Sequence, residues 1–201
     1  MKKLFLKKIK TAIKKQYPNY NDDKIDEIMY GIEGLYLTFT KTVVICIIAL
    51  ILGILKELIC LLIAFNFIRF FAFGMHASKS SICLIFSCLV FIIFSILCKY
   101  VILPKYLLYI LYLLALVIIS IYAPSDTVKR PLIKRKKRVK FKILSIMVVI
   151  IYFILTLVSK NNLFINSLIF GLLIECILIN PITYKAFKMP YKNYITYGLN
   201  A

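Results

Sequence analysis

Acidic residues are scarce in this chain. Eight Asp and Glu stand against 27 Lys and Arg, a formal net charge of +19 over 201 residues. Histidine is scarcer still, with His76 alone. The six cysteines are Cys46, Cys60, Cys83, Cys88, Cys98 and Cys176, and no two form a Cys-x-x-Cys pair. One imidazole and scattered thiols do not make a zinc site, so neither a metal nor another cofactor is expected. Most of the cysteines lie in apolar runs, where the side chain acts as a small hydrophobe, and a disulfide framework is not expected. The bases flank apolar segments and form no groove with stacking aromatics, which argues against a nucleic-acid partner. Residues 1–16 are too rich in lysine for a signal peptide and lack its unbroken apolar core.

What the chain has in abundance is apolar sequence. Hydrophobic residues make up 62% and mean hydropathy is +0.91, whereas a soluble domain is roughly half apolar. The expected fold class is an all-α integral membrane protein, a multi-span helical bundle with N-terminal amphipathic helices. Residues 1–40 read as amphipathic helices on a membrane surface. In 1–16, Phe5, Leu6, Ile9, Ala12 and Ile13 share one side and lysines fill the rest. A second helix, 22–39, is capped by Asn21 or Asp22, and its acids read as a solvated face. Residues 41–182 read as the polytopic domain, with spans at 82–98, 104–122, 142–159 and 163–180. Region 42–73 is divided by Lys56-Glu57 into a pair of thin spans or a hairpin. Residues 183–201 read as a cytoplasmic tail.

Orientation follows from the bases. The loop from Asp126 to Lys142 holds nine of them, among them Lys134, Arg135, Lys136, Lys137 and Arg138. Such a loop is expected in the cytoplasm, with the N-terminus and the tail. Anionic lipid is the expected partner of these charges. Span parity then sets the polar island around His76 on the cytoplasmic face of a cell-membrane protein.

That island carries the candidate chemistry. His76 and Cys83 are a base and a soft nucleophile seven positions apart. One unbroken helix would hold them roughly 10 Å apart along its axis, too far for proton transfer. Gly74 and Ser78-Lys79-Ser80-Ser81 supply a bend. A helix capped by Ser80 or Ser81 puts Cys83 in its first turn, where the helix N-terminus lowers a thiol pKa. Each residue also has an ordinary reading: a loop histidine, a packing cysteine, capping serines, and Arg69 as an interface anchor.

The pattern is more specific when read whole. Arg69-x-x-Ala72-x-Gly74-x-His76-Ala77 with Cys83, and the later Tyr122-Ala-Pro124-Ser-Asp126-Thr-Val-Lys-Arg130-Pro131-Leu, resemble the accessory gene regulator protein B family. Many members have two glycines before the x-His, and the first is Phe73 here. The resemblance implies a membrane cysteine endopeptidase of quorum sensing. It implies Cys83 as nucleophile, His76 as general base, and Arg69, Gly74 and Asp126 as candidates for support. The implied partner is a small precursor signal peptide, cleaved near its C-terminal end through an acyl-enzyme thioester and cyclised to a thiolactone or lactone. Its acidic segment suits the basic loop, Lys134 to Arg138. A homodimer is also implied. Asp126, Asn66 and Glu57 stand open as a third residue to orient His76. The competing reading is a small transporter without peptidase activity. Span 82–98 carries no charge and span 142–159 none beyond Lys142 at its first position, which disfavours it, and Glu175 in the last span is the exception.

Overall fold

The computed structural model describes residues 2–18, 20–74, 80–126, 132–193 and 195. Among the described residues eight helices run in order: α1 Lys2–Gln16, α2 Asp22–Ile51, α3 Leu55–Ala72, α4 Ser80–Tyr100, α5 Lys105–Tyr122, α6 Arg135–Val158, α7 Asn162–Ile179 and α8 Pro181–Ala186. Among the described residues there is no strand, and the protein is an all-α membrane protein. Among the described residues, four helices are long and apolar enough to cross a membrane: α2 from Lys24, α5, α6 and α7. Leu84–Tyr100 of α4 forms a shorter apolar helix. The chain divides into two compact units, residues 1–47 and 48–201.

In the first unit, lysines of α1 meet acids of α2. Lys10 Nζ lies 2.6 Å from Asp26 Oδ1, and Lys14 Nζ lies 2.6 Å from Asp22 Oδ1. The hydrogen bond from Lys14 holds the Asp22 carboxyl below the usual range, and Asp26 raises Lys10. The acids expected as a merely solvated face are therefore paired in part. Both pairs are exposed, and such pairs contribute little in salt.

The second N-terminal helix does not stop near Phe39. It continues to Ile51, and the break expected at Lys56-Glu57 falls earlier. Gly53 takes φ +66. Its N–H donates to the Leu50 carbonyl at 3.1 Å, and that of Ile54 to Ala49 at 2.9 Å. This pair of bonds ends a helix on a left-handed glycine. Lys56 and Glu57 instead open α3, and a carboxylate there suits the helix dipole. The basic segment expected as a loop up to Lys142 is helical from Arg135 onward.

The second unit is built around α7. This helix is apolar nearly all round and buried nearly all round, from Asn166 to Ile179, as a central helix must be. It packs on α3, α4, α5, α6 and α8. The closest approach is to α3. A Cβ on Gly171 would lie 2.9 Å from the Phe65 backbone nitrogen and 3.1 Å from Ala64 Cβ. One turn later, Glu175 reaches Arg69. Phe65 to Arg69 and Gly171 to Glu175 advance together, so α3 and α7 run parallel at this contact.

Polar groups inside the bundle find partners, as an apolar surround demands. The Asn166 amide donates to the carbonyls of Cys98 (3.2 Å) and Val101 (2.6 Å) at the end of α4. Tyr152 Oη donates to the Ala64 carbonyl at 2.7 Å, and Tyr112 bonds Thr156 at 2.8 Å.

The close approach predicts a sharp contrast between two glycines. Gly171→Ala forces two helix backbones apart and is expected to cost about 1–3 kcal/mol. Gly34→Ala in α2 meets open space and should be neutral or slightly stabilising. Thermal unfolding of the two variants in detergent checks this, and equal melting temperatures would refute the contact.

Candidate functional site

Two segments meet at the end of α3. Phe73 pairs with Ser125 in an isolated parallel bridge. The Gly74 N–H donates to the Ser125 carbonyl at 3.2 Å, and the Ser125 N–H to the Ala72 carbonyl at 2.9 Å. Chain separated by some fifty residues is thereby stitched together, and both pieces belong to the motifs read from the sequence. The Ala123-Pro124 peptide bond is cis.

The backbone at the stitch is unusual. Phe73 takes φ 61 and ψ −127, angles that normally belong to glycine. The ring packs edge-on against Phe141, centroids 4.8 Å apart, and this contact offsets strain. Gly74 follows with φ +119. A Cβ there would sit 3.1 Å from Arg69 Nη1, 3.2 Å from Glu175 Oε1 and 3.6 Å from Ile179 Cγ2.

Arg69 lies in the last turn of α3. Its Nη1 donates to Glu175 Oε2 at 3.3 Å, and its guanidinium stands over the Phe65 ring at 5.3 Å. The Arg69 side chain is 16% exposed and that of Glu175 0%. Among the described residues Glu175 Oε1 has no hydrogen-bond partner.

Asp126 is buried on the other side of the stitch. Its Oδ1 accepts the Asn193 N–H at 3.0 Å, and its carbonyl accepts the Tyr184 hydroxyl at 3.0 Å. Ser125 Oγ donates to Tyr184 Oη at 2.9 Å. Burial pushes the Tyr184 phenol up to about 12, so it stays a neutral donor over the physiological range. The segment after α8 thus folds back onto the stitch, and residues 183–193 are not a free tail.

Of the residues expected from sequence, Arg69, Gly74 and Asp126 come together. His76 lies outside the described residues, as do Lys129 and Arg130. Cys83 is the fourth residue of α4, and its side chain is likewise outside the description. The two further candidates for a third group lie on α3. Asn66 is exposed and donates to the Leu62 carbonyl at 2.8 Å. Glu57 opens α3, twelve residues before Arg69, about 18 Å along the axis. Sequence reasoning missed Ser125, Tyr184 and Asn193, which carry no signal of their own. Glu175 did have one, as a lone acid in an apolar span.

The basic residues split in role. Lys134 precedes α6 and Arg135 to Arg138 form its first turn. Arg138 Nη1 turns back to the carbonyls of Leu132 and Ile133, at 3.0 and 3.1 Å. Arg135, Lys136 and Lys140, with Val139 and Ile143, line an open groove of about 670 Å³.

Comparison with known proteins places this arrangement. The family model for accessory gene regulator B matches residues 6–179. An accessory gene regulator protein B of Staphylococcus saprophyticus is 33% identical over 177 residues, 87% of this chain and 93% of the relative. A putative AgrB-like protein of Clostridium acetobutylicum is 31% identical over 168 residues, 84% of this chain and 80% of the relative. One from Listeria innocua is 26% identical over 171 residues, 85% of this chain and 84% of the relative. No solved structure matches.

The stitch predicts three stability effects. Gly74→Ala is expected to destabilise by about 1–3 kcal/mol, since it combines a left-handed φ with two tight contacts. Phe73→Gly should be near neutral, relieving the backbone while losing the Phe141 contact. Phe73→Val, β-branched at positive φ, should destabilise. Melting in detergent ranks them, and a Gly74→Ala protein as stable as wild type would contradict the described backbone.

Proposed function

This chain belongs to the accessory gene regulator B family, and from that membership we propose that it is a membrane-embedded cysteine endopeptidase that processes a precursor signal peptide. The family ties the protein to the agr quorum-sensing system. The observation that carries the finer reading is the stitch, since it joins the segment leading to His76 and the Asp126 segment at one end of the bundle.

Cys83 is the proposed nucleophile, in the first turn of α4, where the helix N-terminus stabilises an anion. His76 removes the thiol proton as sulfur attacks the scissile carbonyl. The tetrahedral intermediate collapses, the C–N bond breaks, and the leaving amine takes the proton from the imidazolium. The peptide is left as a thioester on Cys83. A thiol or hydroxyl of the same peptide then attacks that carbonyl, losing its proton to His76, and displaces the Cys83 sulfur. The product is a thiolactone or lactone. Thioester and thiolactone are alike in bond energy, so the yield depends on keeping water out, which a membrane-edge site favours.

The bases support an orientation. The ends of α3, α5 and α7 and the start of α6 lie at the stitched end, with Lys134 to Lys142, Lys185, Lys188 and Lys192. That end is proposed to be cytoplasmic. The groove on α6 is proposed to hold the acidic segment of the precursor, through Arg135, Lys136 and Lys140 around the apolar Val139 and Ile143.

Two experiments test these readings. Cells expressing the cognate precursor should lose the processed fragment with Cys83→Ala and with His76→Ala, but not with Cys88→Ala, at equal protein on a blot. Processing by Cys83→Ala would remove the thiol mechanism. For the groove, the triple variant Arg135→Glu/Lys136→Glu/Lys140→Glu should raise KM at least fivefold for an acidic precursor at low salt, with kcat little changed. An unchanged KM would move substrate binding elsewhere.

A further inference from the structure

Glu175 is the most deeply buried charge-bearing side chain described, at 0% exposure. Its surroundings in α7 are apolar. A carboxylate in such a place is costly, and a buried ion pair seldom repays its desolvation beyond what apolar residues of the same volume would give. Stability alone therefore gives no reason to retain this one. Its geometry is also poor for a purely structural pair. One oxygen takes a single bond of 3.3 Å from Arg69, and the other has no hydrogen-bond partner among the described residues. A pair selected for strength would be bidentate.

Both groups press on one point. Arg69 Nη1 and Glu175 Oε1 flank the place where a Gly74 Cβ would be, at 3.1 and 3.2 Å. Gly74 is the last described residue before the segment that leads to His76, and two residues of chain span at most about 7 Å. The next described residue is Ser80, which opens the helix bearing Cys83. The open oxygen of Glu175 thus lies beside Gly74, whose missing side chain leaves it room.

We propose that Glu175 is a positioning residue for the processing reaction, its carboxylate holding the Arg69 guanidinium against the left-handed turn at Gly74 from which the 75–83 segment departs. This rests on the thiol-peptidase reading above. Glu175 acts from the central helix, which is the most rigid support available, and acts through Arg69 and Gly74.

The test uses full-length protein in liposomes with the cognate precursor. Glu175→Gln keeps the volume and an acceptor oxygen but removes the charge. Measured per folded protein, it should lower kcat at least tenfold with KM within twofold. Glu175→Asp restores the charge one methylene short and should recover part of that kcat. Two results overturn the proposal. One is a Glu175→Gln enzyme with wild-type kcat. The other is a loss of kcat that tracks a loss of folded protein, with Glu175→Asp no better than Glu175→Gln. Should Glu175→Gln fail to fold, Arg69→Met/Glu175→Leu supplies an apolar replacement expected to fold, and its processing at the wild-type rate would equally overturn the role. A parallel Cys83→Ala arm separates the two readings, because processing by that variant defeats the thiol mechanism whatever Glu175 does.

Discussion

The contact between α3 and α7 is the constraint on which the second unit depends. Gly171 removes a side chain where two helix backbones meet, with the Phe65 nitrogen 2.9 Å from its missing Cβ. In a membrane, close packing of small residues replaces the hydrophobic drive that joins helices in water. Four residues on, the same face of α7 presents Glu175 to Arg69, so one register fixes both features. A slip by one residue would drive the α3 backbone against a side chain and leave the carboxylate facing apolar atoms. Dense packing and the need to neutralise a charge therefore specify the same alignment.

That alignment sets the ends of the bundle. With α3 and α7 parallel, their C-terminal ends come together, and the chain after α5 joins them through the bridge from Phe73 to Ser125. Tyr184 and Asn193 complete the cluster by bonding Asp126 from the far end of the sequence. At the opposite end, Lys99 Nζ donates to the Gly53 carbonyl at 2.9 Å, and Asn166 takes the last carbonyls of α4. Each end is thus closed by hydrogen bonds from distant chain, since helix termini in an apolar surround leave carbonyls that need donors. The proposed site occupies the end where α3, α5 and α7 finish and α4 and α6 begin. Its supports come from four separate stretches of sequence.

This explains what could be read in advance. The helices α5, α6 and α7 were legible because long apolar runs have one outcome in a membrane. The break before α3 was misplaced because charge was taken as the divider. Lys and Glu are good helix formers, whereas Gly53 at positive φ ends a helix outright. The basic segment that opens α6 looks like loop in the sequence for the same reason. Within the site, Arg69, Gly74 and Asp126 were legible as motif positions. The bridge between them was not, because a pairing across fifty residues leaves no local pattern. Glu175 was visible as an anomaly, but its partner was not, since nothing in sequence links position 175 to position 69.

The start of α6 carries a conflict that bears on the partners of this end of the molecule. Arg135, Lys136, Lys137 and Arg138 occupy its first turn, where the helix dipole is already positive and favours acids. Arg138 escapes by turning back onto the carbonyls of Leu132 and Ile133. The others have no acid beside them in that turn, and their repulsion is borne by the free protein. An anion at the groove would relieve it, whether lipid headgroup or acidic peptide. Lipid meets the bases wherever they reach the headgroup layer and needs no groove. A groove lined by Val139 and Ile143 together with Arg135, Lys136 and Lys140 instead matches a ligand that is both apolar and acidic. The repulsion built into α6 makes binding of such a ligand more favourable than its contacts alone would give.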